Sequence, residues 1–288
     1  MAIFDEIGRI SDAKKAIREA IISKGVDVPE DMLINEYPEK INEISGSGTA
    51  WSGFNMLLTG ADGSVHVPAE ALQGVATPPP NVLTGMKSVG SVDIPEGITS
   101  LTQYEFSGTN ITDFYLPDSC VRVSNNSLSS LSLHSISFGR NCSYIDVVGV
   151  NVSSYNFSRI EVPCEIRSNA LNGTSCSEIN LENIRRVNLN SVLDYGTIYN
   201  NQKLEVFTFG KAVKEIITYG YTIFKNCPML THVVFEAPEV PNFVNSTAPE
   251  KWFNNVGPDV RIMVPSGSID IYKNNQAFAE VQDLIEGF

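Results

Sequence analysis

The side chains able to do chemistry at neutral pH are few and dispersed in this 288-residue chain. Three histidines, His66, His134 and His232, lie far apart, with no ligand spacing around them that would hold zinc. No Gly-rich phosphate loop, nucleophile elbow or zinc signature occurs. No metal and no cofactor is therefore expected. The 33 acidic residues keep one enzymatic option open, because a glycosidase needs only two carboxylates at the right separation. Nothing in the sequence singles out such a pair, so the chain is not expected to be an enzyme. Cys120, Cys142 and Cys164 recur every 22 residues and read as a stacked, buried ladder. The odd total of five cysteines speaks against a disulfide framework. Seven Asn-x-Ser/Thr sequons are what an Asn- and Ser-rich chain contains by chance, and carry little weight.

The elements that must position these groups are set by a recurring phrase. An apolar–x–apolar step, usually closed by Pro or Gly, appears eight times: Val92/Ile94, Phe114/Leu116, Ile136/Phe138, Ile160/Val162, Ile179/Leu181, Phe207/Phe209, Val233/Phe235 and Ile262/Val264. Its second members are 22, 22, 24, 19, 28, 26 and 29 residues apart. A further apolar residue leads most phrases by ten or eleven positions: Phe106, Leu128, Val152, Leu171, Tyr199, Phe224 and Phe253. Period-2 alternation is a strand signal, and one such strand hides its apolar side only by stacking on the next. Proline at 95, 117, 163 and 265 lacks the ladder donor and ends each strand. Residues 98, 101, 145, 166, 184, 187, 213 and 216 mark a second buried edge per coil. The spacing predicts a solenoid in the leucine-rich-repeat range. A β-sandwich shares the composition but would not keep the ten-residue lead.

Charge narrows the partners. The net charge is −13, and Lys and Arg are not clustered, so nucleic acid is excluded as a ligand. No apolar run reaches the length of a membrane span, and no membrane insertion is expected. Asp5, Glu6, Arg9, Asp12, Lys14 and Lys15 interrupt any signal-peptide core, so no export through a signal peptide is expected.

The stretch Tyr221-Thr-Ile-Phe224-Lys-Asn-Cys227-Pro-Met-Leu230-Thr-His-Val-Val-Phe235 resembles one unit of the BspA-like leucine-rich repeats. Val264-Pro265-Ser-Gly-Ser-Ile-Asp270-Ile-Tyr272-Lys273 is similar to that family's closing cap. The resemblance covers about residues 84–288 and is sharpest in the last two coils; Phe106–Ile111 keeps the spacing only. It implies a solenoid with a parallel sheet on one face, used for adhesion or recognition, and names no ligand.

Residues 1–45 form a different module. Ile3, Ile7, Ile10, Ile17 and Ile21 fall on one helical stripe once Lys14 is admitted, ending at Lys24-Gly25. Isoleucine at both seam positions favours three or four strands, so a homo-oligomer with a trimer preferred is expected. The alternative is a helix packing on its own neighbour, Tyr37–Ile44. Ala13-Lys-Lys-Ala-Ile17-Arg-Glu-Ala-Ile21-Ile-Ser-Lys24-Gly25-Val26 with Tyr37-Pro-Glu-Lys-Ile41 is similar to a segment of phage tail and fibre proteins of gut bacteria. That likeness implies a virion protein, made in the host cytoplasm and joined to other virion proteins through this segment. Residues 46–83, with Gly46-Ser-Gly48 and Pro78-Pro-Pro80, read as a linker holding a small hairpin.

The expected class is α+β: a short helical module followed by a β-rich leucine-rich-repeat-like solenoid over residues 84–288. The strand residues pointing outward are the expected binding surface, led by Asp113, Tyr115, Arg159, Glu161, Asn180 and His232. Tyr115 beside Arg159 and Glu161 would stack on and hydrogen-bond a sugar of the host cell surface; plain solvation of that face is the alternative. A bacterial surface adhesin is the competing function, and a glycan-active enzyme the third.

Overall fold

Alternating runs of three to five residues bury one side only when successive coils stack, and here they stack in parallel. The structure, a computed structural model, describes residues 2–22, 27–33, 58–59, 64–189, 198–218, 222–244 and 252–288. For residues 2–10, 20, 58, 59 and 125 it describes the backbone alone. The chain divides into two compact units, residues 1–57 and 58–288.

In the first unit a helix runs from Ala2 to Ile22. Arg18 Nε donates to the Val28 carbonyl at 2.8 Å and ties the segment 27–33 back to this helix. Ile17 is 40% exposed while Ile21, one turn on, is buried. The side chains of Ile3, Ile7 and Ile10 and the segment Tyr37–Ile44 lie outside the described residues.

The second unit is a solenoid whose coils carry three strand faces. The phrases read from the sequence build the first face. Asp113–Tyr115, Ser135–Ser137 and Tyr155–Asn156 form one parallel sheet. Glu178–Asn180, Val206–Phe209, His232–Phe235, Arg261–Val264 and Ile285–Gly287 form another. The second face is one continuous seven-stranded parallel sheet: Ser100–Leu101, Arg122–Asn125, Tyr144–Val147, Cys164–Arg167, Ile184–Asn188, Glu215–Ile217 and Asn242–Val244. Its inward residues are those of the second buried edge, with Leu101, Ile145, Ile166, Val187 and Ile216 fully buried. The longest sheet therefore lies on that edge, not on the phrases. A third face pairs Ser132–Leu133 with Asn151–Val152, and Ile198–Tyr199 with Phe224–Cys227 and Phe253–Val256.

Three sequence expectations need correction. The fourth phrase, Ile160/Val162, is not a strand; Tyr155–Asn156 takes the place, with Tyr155 opposite Ile136. Aromatic packing decides this register. The Phe157 ring stacks on Phe138 at 5.3 Å, and the buried Tyr155 hydroxyl donates to the Ala170 carbonyl. At the fifth lead position Ile198 is the fully buried residue, and half-buried Tyr199 lies under the Lys225 ammonium. Finally, residues 64–83 join the solenoid. Val65–Val67 pairs antiparallel with Leu58–Thr59 and parallel with Val89–Val92, and Leu72 and Leu83 are fully buried.

Asn, Ser and Thr satisfy the turns, as a coil of this kind requires. Fully buried Asn201 accepts from Thr174 N at 2.7 Å and donates to the Leu171 carbonyl at 2.7 Å. The Glu105 carboxylate, also fully buried, accepts from the amides of Thr102 and Gln103. The C-terminal end is closed by aromatic residues: Trp252 Nε1 donates to Ala277 O and the Tyr272 hydroxyl to Ala237 O. All five cysteines are buried free thiols. Burial and the neighbouring Cys142 push Cys120 up to about 12, and burial pushes Cys176 up to about 11. Burial of this kind disfavours the thiolate and keeps both thiols protonated near neutral pH.

Candidate functional site

The six expected binding residues do not converge. Asp113 and Tyr115 sit on the first three-stranded sheet, where Tyr115 is opposite Ser137. Ser135 and Thr112 donate to Asp113, and the Ser135 hydrogen bond is the leading cause that holds its carboxyl below the usual range. Asn180 and His232 belong to the separate five-stranded sheet, and His232 is exposed with its Nδ1 2.9 Å from Thr231 Oγ1. Because the register slips at Tyr155, Arg159 and Glu161 leave the strand face and move to the corner that follows it. There Arg159 pairs with Asp118, and Arg140 Nε lies 3.4 Å from Asp118 and 3.8 Å from Glu161. Among the described residues, no cluster of His, Cys, Asp or Glu is arranged to hold a metal ion.

What the fold does assemble is a polar ladder on the second face. Arg122, Tyr144, Glu165, Arg186, Glu215 and Asn242 stand opposite one another in six successive coils. Opposite charges directly across parallel strands attract, so the row also helps fix register. The Arg122 guanidinium lies 4.0 Å from the Tyr144 ring centroid. Arg186 is shared by two carboxylates, at 2.6 Å from Glu215 and 3.5 Å from Glu165, and the Glu215 hydrogen bond raises its pKa further. A second row places Tyr144 OH, Arg167 and Asn169 around Asp146 at 3.1, 3.2 and 2.9 Å.

Beside this ladder the corners between first and second faces are uneven. The corner after Asn156 runs seven residues, 157–163; the next, 181–183, only three; the one after that five, 210–214. The short corner leaves a trough between two longer ones. Asn183 Nδ2 clamps its floor by donating to the carbonyls of Phe157 and Ser158. Two adjoining cavities of about 400 and 410 Å³ occupy the trough and share Pro163 and Arg185 as walls. Ile160 and Val162, displaced from the strand, line the second.

The whole sequence pattern of this unit also matches a known family. Residues 79–168 and 149–256, more than half of the chain, match the BspA type leucine-rich repeat region in six copies. The chain belongs to the BspA-type leucine-rich-repeat family. This BspA-type repeat protein matches no curated protein sequence. Among solved structures it is similar to a leucine-rich repeat protein from Bacteroides ovatus, at 13% identity and a TM-score of 0.31. That alignment covers 66% of this chain and 60% of the other, so the chain spans less than two thirds of that protein's length.

Arg159 and Glu161 were expected on the strand face and lie on the corner instead, where Glu161 lines the second cavity, while Tyr144, Glu165, Arg185, Arg186, Lys214 and Glu215 were not among the expected residues. One signal was present. In Ile184-Arg-Arg-Val187 two polar residues separate two buried ones, where alternation allows one. That is the mark of a bulge, and the register does shift there.

Proposed function

We propose that this chain is a display protein that binds its ligand without turning it over. In this reading the N-terminal helical unit attaches and oligomerises it, and the solenoid presents its second face and corner trough to a glycan or protein of a host surface. The observation that carries the reading is the six-coil polar ladder, held in register beside an open trough. Stacked repeats commonly bind through such extended faces. The particle is a phage virion, which is supported by the sequence likeness of residues 13–41 to phage tail and fibre segments. Its further partners are then other virion proteins and, through the helix, copies of itself.

Exposed Ile17 and Ile22 on the first helix favour that self-association. Deleting residues 1–44 is expected to reduce the mass measured by light scattering from an oligomer to a monomer. A monomeric mass before and after the deletion would refute the oligomer. Family membership also favours a second reading, a bacterial surface adhesin. An export signal encoded upstream of Met1 would support the adhesin and sink the virion assignment.

A further inference from the structure

Arg185 is an extra residue by construction. Cys164 pairs with Ile184 and Glu165 with Arg186, so Arg185 has no partner on the neighbouring strand and the ladder bulges around it. A bulge re-aims the side chain it carries, and bulges concentrate at functional edges. Here it sets Arg185 on the wall common to both cavities of the trough. Lys214, from the next coil, lines the same second cavity, and its backbone amide donates to the Arg185 carbonyl at 2.9 Å. The other arginines of these two strands that are ion-paired are neutralised: Arg186 by Glu165 and Glu215, Arg167 by Asp146. Arg185 and Lys214 have no ion-pair partner among the described residues. In a chain of net charge −13, Arg185 and Lys214 outnumber the one carboxylate that lines the second cavity, Glu161, which lies 3.8 Å from Arg140.

We infer that the trough is a saccharide-binding site whose second cavity takes the acidic group of an anionic glycan at Arg185 and Lys214. This deepens the display reading above and rests on it. The second cavity sets the charge, and the first sets the neighbouring unit. In the first, Glu165 and Glu215 would repel an anion but accept hydrogen bonds from hydroxyls, and half-buried Tyr144 offers an apolar ring edge. The ligand therefore alternates an acidic sugar with a neutral one along the trough. Each cavity is of the size of ordinary small-molecule sites, and each mixes polar with apolar lining, as suits a sugar that presents both hydroxyls and a C–H face.

The test is calorimetric titration of the full chain with a hyaluronan hexasaccharide, which alternates an acidic and a neutral sugar. Neutral chitohexaose and sodium sulfate serve as comparisons. The hyaluronan fragment is expected to bind at least roughly tenfold more tightly than either, and more weakly as salt is raised. The double variant Arg185→Ala/Lys214→Ala is expected to lose about tenfold or more in affinity, and the reversal Arg185→Glu to abolish binding. Lys203→Ala, an exposed cation in another corner, should bind as wild type. All the substituted residues are exposed, and unchanged thermal melts will show the variants folded. Equal affinity for chitohexaose or sulfate, no binding of the hexasaccharide, or a double variant that binds normally would each overturn the site. Adhesion to cells that survives in the double variant sinks the trough and spares the display reading. Oligosaccharide binding without any adhesion to cells does the reverse.

Discussion

Gly139→Ala is expected to destabilise the solenoid by about 3 kcal/mol or more, at the upper end of overpacking effects. A Cβ on this residue would sit 2.0 Å from the Pro117 carbonyl oxygen and 2.8 Å from Asp118 Cα. Both obstacles are backbone of the coil before, so no rotamer relieves the clash and the two coils must separate. The same corner holds the Arg140 amide on Asp118 Oδ1 at 3.0 Å, which separation would also break. For a domain of this size the loss corresponds to a melting temperature lower by roughly 6–12 °C. Gly267→Ala is the comparison: nothing lies within 4 Å of its added Cβ, and its effect should stay within about 0.5 kcal/mol. Equal melting temperatures for the two variants would show that coil spacing is not what Gly139 provides.

Phe235→Ala should cost about 3–5 kcal/mol and, unlike Gly139→Ala, act at one end of the molecule. The Phe235 ring stacks on Phe209 at 4.6 Å and meets Trp252, Tyr272 and Phe278 at 6.1, 5.5 and 5.4 Å. Removing it opens a cavity in the centre of the closing cluster. Coils of a solenoid touch only their neighbours, so the damage should decay with distance along the stack. Amide exchange is therefore expected to accelerate over residues 206–217 and 252–287 while Arg122–Asn125 and Tyr144–Val147 keep their protection. Uniform acceleration would mean that the solenoid unfolds as one cooperative block.

The alternation of apolar residues made the coil count and most first-face strands legible. Phe114, Ile136, Ile179, Phe207, Val233 and Ile262 all occupy inward strand positions as expected. Gly139 and Gly210 were legible as strand ends, but not as close contacts, because spacing between coils leaves no trace in a single coil's pattern. In the fourth coil only Ile160-Glu-Val162 was read as the strand, although Tyr155-Asn-Phe157, which takes its place, alternates equally well. Proline at 163 pointed to the former, whereas stacking of Phe157 on Phe138 selected the latter. Long-range ring contacts of that kind cannot be read from local pattern. The site was less legible than the fold. Its trough comes from unequal corner lengths, and its cations are brought together by a bulge and a coil-to-coil hydrogen bond, 29 residues apart in sequence.

The display account is tested most directly by incubating the full chain with a panel of intact gut bacterial cells and measuring the bound fraction by co-sedimentation. The account predicts saturable binding to at least one strain, lost when surface polysaccharide is stripped, with the polysaccharide recovered at its original length. Absence of saturable binding to every strain, or progressive shortening of the polysaccharide in the presence of the chain, would contradict it.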